Sequence, residues 1–286
     1  MRALTVRATG PLALVEDLGR PGRAGIGVAR SGAADRASLR LGNRAVGNDE
    51  GAAAIEVTFG GLALEVGDEG LCLCVTGAPV DVTVDGRGAG SHAVLQVAAG
   101  SRVALGTPRA GLRSYVAVRG GIDVPEVLGA RSRDVMAGLG PEPLAEGDAL
   151  PVGAPVGDLP GVDHLPWPDL DEPVVLRAVR GPRADWVEDV DLLTSTAWQA
   201  TDRSNRVGTR LAGSSLRHSR DDQLPSEGAW RGAVQVPPSG EPVLFLADHP
   251  VTGGYPVVAV VVDEDVDRAA QVRPGQEVRF RWVGAP

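Results

Sequence analysis

Alternating apolar and polar positions run through most of the first half of the chain. The alternation recurs in the segments 4–8, 62–66, 71–77, 80–86, 93–100, 101–107 and 114–121. A period of two residues places successive side chains on opposite faces of a strand, and glycines separate these segments roughly every eight to twelve residues. The pattern therefore predicts antiparallel β-structure for this half.

The second half shows the same β-rich pattern. Strands are predicted in the segments 173–182, 233–237, 242–248, 256–264 and 276–283. Residues 184–198 are predicted to include a short helix. No residue-level repeat links the two halves. Because both halves are rich in predicted strands, the fold class that we predict is mainly β, with two β-rich lobes and a few short helices.

A proline-rich and acidic stretch between Pro141 and Pro173 separates the two halves. This composition does not easily form regular structure. We therefore expect an N-terminal β-rich lobe at 1–150, a Pro-rich linker at 151–173 and a C-terminal β-barrel lobe at 174–286.

One segment of the first half, 31–49, has helical spacing instead of alternation. Ser31 could supply the N-cap, and Gly47 with Asn48 could end the helix. The apolar positions that approximate a helical period are Ala33, Ala37, Leu41 and Val46. We expect a single helix here that closes a barrel.

The glycine-rich stretch VDGRGAGS at 84–91 resembles a dinucleotide-binding motif only in its composition. It lies between two alternating strands, and no helix is predicted after it. A hairpin turn therefore explains it better.

Lysine is absent from the chain, because all 28 basic residues are arginine. Without lysine the chain cannot carry a Schiff base, a Walker-type phosphate loop, a kinase-type ATP lysine or covalently attached biotin. The formal charge of −9 argues against nucleic acid or an anionic membrane as the main partner. No apolar run approaches the ~18 residues that span a bilayer, so we expect a cytoplasmic protein. The expected partner is a small-molecule substrate, which the arginine-rich segments described below could bind.

Cysteine and histidine give no metal-binding pattern. Cys72 and Cys74 would point to the same face of one strand, where we expect reduced thiols in the core. The four histidines are dispersed through the sequence, without paired spacing, which makes a zinc site improbable. They are His92, His164, His218 and His249.

Two arginine-rich segments have the chemistry of anion-binding loops. In residues 15–36, charged side chains crowd into a glycine-punctuated segment, at Glu16, Asp17, Arg20, Arg23, Arg30 and Asp35. In residues 201–213, Arg203, Arg206 and Arg210 flank Gly208, and guanidinium groups bind carboxylates or phosphates in a bidentate manner. In both segments, the alternative is a set of ordinary surface charges.

A third segment places polar side chains at predicted strand ends, where a barrel exposes them to its mouth. They are Ser226, Glu227, Gln235, Asp248, His249, Thr252 and Tyr255. The pair Gly253-Gly254 allows positive φ and close approach of the backbone to an anion. Neighbouring residues in a strand point to opposite faces, so a direct Asp248-His249 relay is not expected.

Several of these segments, in order, resemble the biotin-dependent carboxyltransferase family, also called allophanate hydrolase subunit 2. The matching blocks lie at 16–48, 54–66, 118–134, 204–211, 226–242 and 248–280, and include DLGRPG, SNRVGTRL, VQVPPSGEP and VTGGYP. The family includes the C subunit of 5-oxoprolinase and the antagonist of a sporulation kinase inhibitor. The resemblance implies a cyclophilin-like β-barrel architecture. It also implies two partners, a B subunit of related fold and a lactam-utilisation A subunit, with ATP used by the complex and any biotin carried elsewhere.

The same resemblance implies a set of site residues. The implied catalytic residues are Asp17, Glu227, Asp248 and Tyr255. The implied substrate-binding residues are Arg20, Asp35, Arg206, Arg210, Gln235, Thr252, Gly253 and Gly254, with Asp17, Arg20 and Asp35 approaching from the other side of a cleft. The chain departs from the family pattern at Glu16, Ala130 and Arg133.

Three functions follow as expectations. The first is the C subunit of an ATP-dependent 5-oxoprolinase, which opens 5-oxo-L-proline to L-glutamate only in complex. The second is the carboxyltransferase component of a urea or amide carboxylase. The third is a non-catalytic partner of a kinase inhibitor. Prolyl isomerisation has little support, since that activity uses an aromatic-lined groove and aromatic residues make up only 3% of the chain.

Overall fold

The computed structural model describes residues 2–162, 164–168, 170 and 172–284. These residues form two compact units. Unit 1 comprises Met1–Arg20, Ser31–Asp134 and Gly138–Pro168, and unit 2 comprises Pro21–Arg30, Val135–Ala137 and Asp169–Pro286. Residues 151–162 and 164–168 of the expected linker thus belong to unit 1, while Asp163, Asp169 and Asp171 lie outside the described residues. The division into two lobes and a linker stays a prediction.

Unit 1 contains two antiparallel sheets, as the alternating pattern predicts. Its strands are β1 Ala3–Thr9, β2 Leu12–Glu16, β3 Ala54–Thr58, β4 Leu62–Val66, β5 Leu71–Gly77, β6 Val82–Val84, β7 Arg87–Gly88, β8 Val94–Val97, β9 Arg102–Leu105, β10 Arg113–Val118 and β11 Ala149–Pro151. One sheet has the order β11-β1-β4-β9-β6-β7 and the other β2-β3-β10-β5-β8. Apolar side chains from both sheets share one core, which includes Leu4, Leu64, Ile55, Leu73 and Val116.

The hairpin predicted at 84–91 is confirmed. Strands β6 and β7 pair in antiparallel register through Val84 and Arg87. The two residues between them, Asp85 and Gly86, have φ values of 50° and 76°. Positive φ at both turn positions matches the right-handed twist of the flanking strands, and an Asp-Gly pair accepts it readily.

The helix of unit 1, α1 (Arg36–Ala45), differs from the prediction in its cap and in its buried face. Asp35 is the N-cap, and its carboxylate accepts a hydrogen bond from the Ser38 amide at 2.9 Å. The predicted cap, Ser31, is wrong: it has a φ of 55° and precedes the helix by several residues. Ala37 is exposed, whereas Leu39 and Gly42 are buried.

The helix α1 covers a face of the five-stranded sheet, so the expectation that it closes a barrel is wrong. It packs on β5 and β10, which are buried on both faces. In β5 the leucines face the core between the sheets, while Cys72 and Cys74 face α1. Both cysteines are free and buried, as predicted, and burial raises the pKa of the Cys74 thiol to about 12. A thiol with so high a pKa is a packing group rather than a nucleophile.

Unit 2 is built on a closed seven-stranded barrel in the order β12-β19-β16-β17-β14-β13-β20. Its strands are β12 Val174–Arg180, β13 Trp198–Ala200, β14 Gly208–Ala212, β15 Glu227–Gly228, β16 Ala233–Gln235, β17 Val243–Phe245, β18 Thr252–Gly253, β19 Val257–Val261 and β20 Glu277–Trp282. The parallel pairing of β12 with β20 closes the barrel. Strands β15 and β18 form a separate two-stranded ribbon.

Short helical segments complete unit 2. They are a 3-10 turn at Ala24–Ile26, a second at Ala184–Trp186, α2 Leu192–Ser195 and α3 Asp263–Ala269. The short helix predicted in 184–198 is therefore a 3-10 turn followed by a single turn of α-helix. The predicted strand 256–264 ends at Val261, because α3 begins at Asp263.

The barrel core consists mainly of valine, leucine and alanine, with one buried tryptophan. The Trp198 indole donates a hydrogen bond to the Leu193 carbonyl at 2.8 Å, which satisfies its only polar atom. The predicted mainly β fold class with few helices is confirmed.

Candidate functional site

The ribbon of β15 and β18 pairs Glu227 with the Thr252-Gly253 dipeptide, which the sequence placed in the same polar segment. Glu227 lies opposite Gly253, and Gly228 opposite Thr252. Arg183, from the 3-10 turn region after β12, donates hydrogen bonds from Nε to both Glu227 carboxylate oxygens, at 3.0 and 3.1 Å. These bonds lower the pKa of Glu227 below its usual value. Glu227 is therefore ionised at neutral pH, which suits an acceptor or general base rather than a general acid.

Gln235 fixes the turn that follows the ribbon. Its side chain is buried at the end of β16, and its amide donates a hydrogen bond to the Tyr255 carbonyl at 3.1 Å. A Cβ atom at Gly253 would lie 2.5 Å from the Gln235 amide nitrogen. Neither Gly253 nor Gly254 adopts positive φ. Close approach therefore explains the glycine at 253, and the positive φ suggested by the pair is not used.

A surface cleft of 460 Å³ adjoins this turn. Gly254 and Tyr255 line it, and so do Trp186 and several charged residues of the loop 215–226. A second cleft, lined in part by Ser226, shares Gly254 and Tyr255 with the first. Tyr255 is 47% exposed, so it is accessible from the solvent. Small-molecule sites usually have volumes of about 300–1,000 Å³, and the first cleft falls within that range.

Arg206 and Asp248 form a buried ion pair in unit 2. Arg206 donates from Nε to one oxygen of Asp248 at 2.8 Å and from Nη2 to the other at 3.1 Å. Their side chains are 2% and 0% exposed. The Val135 amide also donates to Asp248, at 3.2 Å. The sequence predicted separate roles for these two residues, whereas the structure pairs them with each other.

The other residues of the two predicted C-terminal clusters are dispersed. Arg203 pairs with Glu241 at 3.0 Å on the surface, and Arg210 points outward from β14. The His249 ring stacks on Phe245 with the ring centroids 5.9 Å apart. The three arginines of 201–213 thus have three different environments: a surface ion pair, a buried ion pair and an exposed strand position.

In unit 1, Asp17 and Arg20 bind main-chain groups of the segment 127–132. Asp17 accepts hydrogen bonds from the amides of Gly19, at 2.7 Å, and Arg131, at 2.6 Å. Arg20, which is 1% exposed, donates to the carbonyls of Val127 and Ser132. Both contacts hold the loop of the first family block against this segment.

Asp35 belongs to a buried polar network in unit 1. Besides capping α1, its amide donates to the Tyr115 hydroxyl at 2.8 Å, and that hydroxyl donates to Glu56 at 2.8 Å. Arg113 lies 3.6 Å from Glu56. Burial raises the pKa of Tyr115 well above its usual value, so the hydroxyl keeps its proton and can donate. The contacts of Asp35 thus stabilise the start of α1 and the buried network around Tyr115.

Sequence reasoning missed two contributors to the site of unit 2. Arg183 lies in the motif GPRADW directly after a predicted strand, and its charge at a strand end was the available signal. Residues 215–225 of the loop carry no motif, and only their density of charged residues marks them.

Two features are absent from the described residues, a metal-binding cluster and a membrane-spanning helix. No cluster of three or more His, Cys, Asp or Glu side chains could hold a metal ion within the described ranges. Among those same residues, no helix combines the length and the apolar character needed to cross a bilayer.

Comparisons with known proteins point to one family. A family model described as carboxyltransferase domain, subdomain A and B, matches residues 26–282. The C subunit of 5-oxoprolinase from Escherichia coli (strain K12) is 36% identical over 285 residues, which cover 97% of this chain and 90% of that protein. The protein of the same name from Haemophilus influenzae is 33% identical over 278 residues, covering 95% of this chain and 88% of that protein.

A solved structure shares the fold over nearly the whole chain. The urea amidolyase of K. lactis superposes with a TM-score of 0.90 at 30% identity, covering 99% of this chain but 19% of that chain. The resemblance seen in the sequence blocks is confirmed by these similarities.

Proposed function

Because this chain belongs to the carboxyltransferase domain family, subdomains A and B, we propose that it is the C subunit of a 5-oxoprolinase complex. The complex opens 5-oxo-L-proline to L-glutamate with ATP, together with two partners, the B subunit of related fold and a lactam-utilisation A subunit. The observation that carries the proposal is the near full-length similarity to two relatives whose names identify them as C subunits of 5-oxoprolinase. A cytoplasmic location belongs to the same proposal.

The chemistry of the substrate explains why such a complex would need ATP. A lactam is a stable amide, and phosphorylation of its oxygen by ATP would make the ring carbon open to attack by water. The chain then has to hold a small anion in place and orient the groups that exchange protons.

The residues around the Gly254–Tyr255 turn are the candidates for contact with the substrate. Glu227, ionised by its pair with Arg183, would accept a proton or orient water, and the Tyr255 hydroxyl would donate to the ligand. Gln235, Thr252, Gly253 and Gly254 would shape the turn. We propose that Arg206 and Asp248 support this site of unit 2 through their buried ion pair, and Arg210 through its surface charge. Asp17, Arg20 and Asp35 belong to unit 1, where they stabilise the loop of the first family block and the start of α1.

A carboxyltransferase acting on urea or another amide is the second candidate, favoured by the fold shared with the urea amidolyase of K. lactis. Since the chain has no lysine, biotin would have to be carried by another protein. The similarity to that enzyme covers 19% of its length, against 90% of the E. coli relative. The 5-oxoprolinase role is therefore the proposal that the comparisons support better.

Reconstitution tests the proposal. The chain is co-expressed with its A and B partners, and glutamate release is measured with and without ATP and 5-oxo-L-proline. We expect release only when the three chains, ATP and 5-oxo-L-proline are all present. A complex that ignores 5-oxo-L-proline but carboxylates urea when given carboxybiotin would instead support the second candidate.

A further inference from the structure

The cleft beside Gly254 and Tyr255 is lined by charged side chains that no proposed step uses. They come from the loop 215–226, and the relevant ones are Arg217, Arg220, Asp221 and Asp222. All four are exposed. Their charges, and the groups that already neutralise them, determine which ligand the cleft can accept.

Arg220 is already neutralised within unit 2. It forms an ion pair with Asp185, and its guanidinium carbon lies 5.3 Å from the centroid of the Trp186 ring. The Ser219 hydroxyl donates to the Asp185 carbonyl at 2.9 Å, which ties the loop to the 3-10 turn Ala184–Trp186. Arg220 therefore forms a wall of the cleft together with Trp186, and its charge is not available to a ligand.

Arg217, Asp221 and Asp222 keep their charges uncompensated. Within the part of the chain that the structure describes, none of their side chains has a hydrogen bond or an ion pair. One positive and two negative groups thus face the same cleft. A simple carboxylate ligand would be attracted by Arg217 but repelled by both aspartates. A simple cation would be attracted by both aspartates but repelled by Arg217.

A ligand that carries both signs of charge satisfies the whole set. We propose that this cleft binds an α-amino acid as its zwitterion, with the carboxylate on Arg217 and the ammonium group on Asp221 and Asp222. The volume of 460 Å³ is sufficient for a molecule of that size. The Trp186 ring and the Tyr255 side chain provide the less polar walls against which its carbon chain packs.

The identity of the amino acid rests on the proposed function. Opening of the lactam converts a neutral amide nitrogen into an ammonium group, so L-glutamate has the positive charge that 5-oxo-L-proline lacks. The cleft would therefore retain the product in preference to the substrate. On this basis it is a product-binding site, and its occupancy would limit turnover when L-glutamate accumulates.

Titration calorimetry on the full chain tests the charge requirement directly, with L-glutamate, glutarate and 5-oxo-L-proline as probes. Glutarate keeps both carboxylates but has no ammonium group. We expect L-glutamate to bind about tenfold more tightly than either of the other two, the ratio that one well-placed ionic contact provides. Equal binding of L-glutamate and glutarate, or no binding of L-glutamate, would overturn the proposal.

Substitutions test the group that binds the carboxylate separately from the groups that bind the ammonium ion. Arg217→Gln should weaken L-glutamate and glutarate alike, whereas Asp221→Asn with Asp222→Asn should weaken only L-glutamate. Arg281→Gln and Asp202→Asn, at exposed positions of unit 2 outside the cleft lining, should leave both affinities unchanged. If the control variants weaken binding as much as the cleft variants do, the cleft is not the site.

A measurement without substitutions covers the case in which a variant fails to fold. Amide chemical-shift changes caused by L-glutamate in the wild-type chain should be centred on Arg217, Asp222 and Gly254, and changes centred elsewhere would overturn the proposal. This result is separate from the proposed function. Glutamate release by the complex without binding in this cleft refutes only the cleft site, and binding without release refutes only the 5-oxoprolinase role.

Discussion

Gln235 shows how one buried side chain sets the shape of the candidate site. Its amide donates to the Tyr255 carbonyl and packs against Gly253. The residue is polar and lies at the end of a barrel strand, so its burial requires that hydrogen bond. The turn and the barrel are therefore linked through one contact, and a change at Gly253 is transmitted to Tyr255.

A methyl group at Gly253 tests this link. In Gly253→Ala the Cβ atom would lie 2.5 Å from the Gln235 amide nitrogen, so that side chain must move and the bond to Tyr255 is weakened. We expect a loss of about 1 kcal/mol in unfolding free energy and lower affinity of the cleft for its ligand. Urea denaturation and calorimetry measure the two effects.

The neighbouring glycine provides the matched control. A Cβ atom at Gly254 would have the Leu224 carbonyl oxygen as its nearest contact, at 3.7 Å, which is ordinary van der Waals distance. Gly254→Ala should therefore change stability by less than about 0.5 kcal/mol. A larger loss for Gly254→Ala than for Gly253→Ala would contradict this account.

His92 in unit 1 is a buried titratable group with an effect on stability. Its side chain is 2% exposed, and its ring centroid lies 4.4 Å from that of Trp167. Burial lowers its pKa to about 4. Since a histidine in the unfolded chain has a pKa near 6.5, the unfolded state binds the extra proton between these two values.

The sign of the pH effect follows from this difference. Because the folded pKa is depressed, stability from the neutral ring is fully present above about pH 6.5 and is lost as the pH falls towards 4. We expect the loss to reach up to about 3 kcal/mol at the acid end. His92→Asn, which tolerates the φ of 58° at this position, should show a smaller loss over this range in urea denaturation at each pH. An identical pH profile for the two proteins would refute this role of His92.

The helix α1 illustrates a limit of periodicity as a guide to packing. The apolar spacing selected Ala37 and Leu41, yet the buried face carries Ser38, Gly42 and Asn43. A Cβ atom at Gly42 would lie 3.0 Å from the Thr76 hydroxyl and 3.1 Å from the Ala117 methyl. The helix approaches the sheet so closely at this point that only a glycine fits, while Leu39 and Ala45 pack with Cys72, Cys74 and Tyr115 in an apolar cluster.

The N-cap of α1 gives a prediction for this element. Asp35→Ala removes the carboxylate that accepts from the Ser38 amide and hydroxyl. The unfolding free energy should fall by about 1–2 kcal/mol. Asp35→Ser keeps a capping oxygen, so its unfolding free energy should fall clearly less than that of Asp35→Ala. If urea denaturation gives the same loss for both variants, the cap is not what stabilises this helix.

The ion pair of Arg206 and Asp248 joins parts of unit 2 that are distant in the sequence. Asp248 follows β17, Arg206 precedes β14, and Val135 comes from a segment that lies between two stretches of unit 1 along the chain. Three donors converge on one buried carboxylate. A buried carboxylate of this kind stabilises the folded protein only while its hydrogen-bond donors are present.

Removing one member of the pair should therefore be costly. Arg206→Ala leaves the Asp248 charge buried without its guanidinium, and we expect a loss of about 3–5 kcal/mol in unfolding free energy. Arg203→Ala, which breaks a surface pair with Glu241, should lose less than about 1 kcal/mol. The double variant Arg206→Met with Asp248→Leu should lose less than the sum of the two single variants. Additive losses would mean that the two side chains act independently.

Much of the fold could be predicted because its determinants are local. Alternation predicted β1, β4, β5, β6, β8, β9 and β10 of unit 1, whereas β2, β3 and β11 were not predicted. The position of 84–91 between two alternating segments predicted the β6–β7 hairpin. In unit 2 the strand β14 was missed, because Arg210 and the charged residues before it conceal a short strand. The short β15–β18 ribbon was missed because two-residue strands have no period to detect.

The sequence by itself determined the β-rich composition of both halves, the absence of lysine chemistry and the order of the family blocks, since each depends on residue type or short spacing. Only the tertiary structure decided that Asp248 pairs with Arg206, that Glu227 pairs with Arg183 and that an unmarked loop lines the cleft. The physical reason is that burial and charge pairing depend on residues far apart in the sequence, whose distances are set only when the barrel closes.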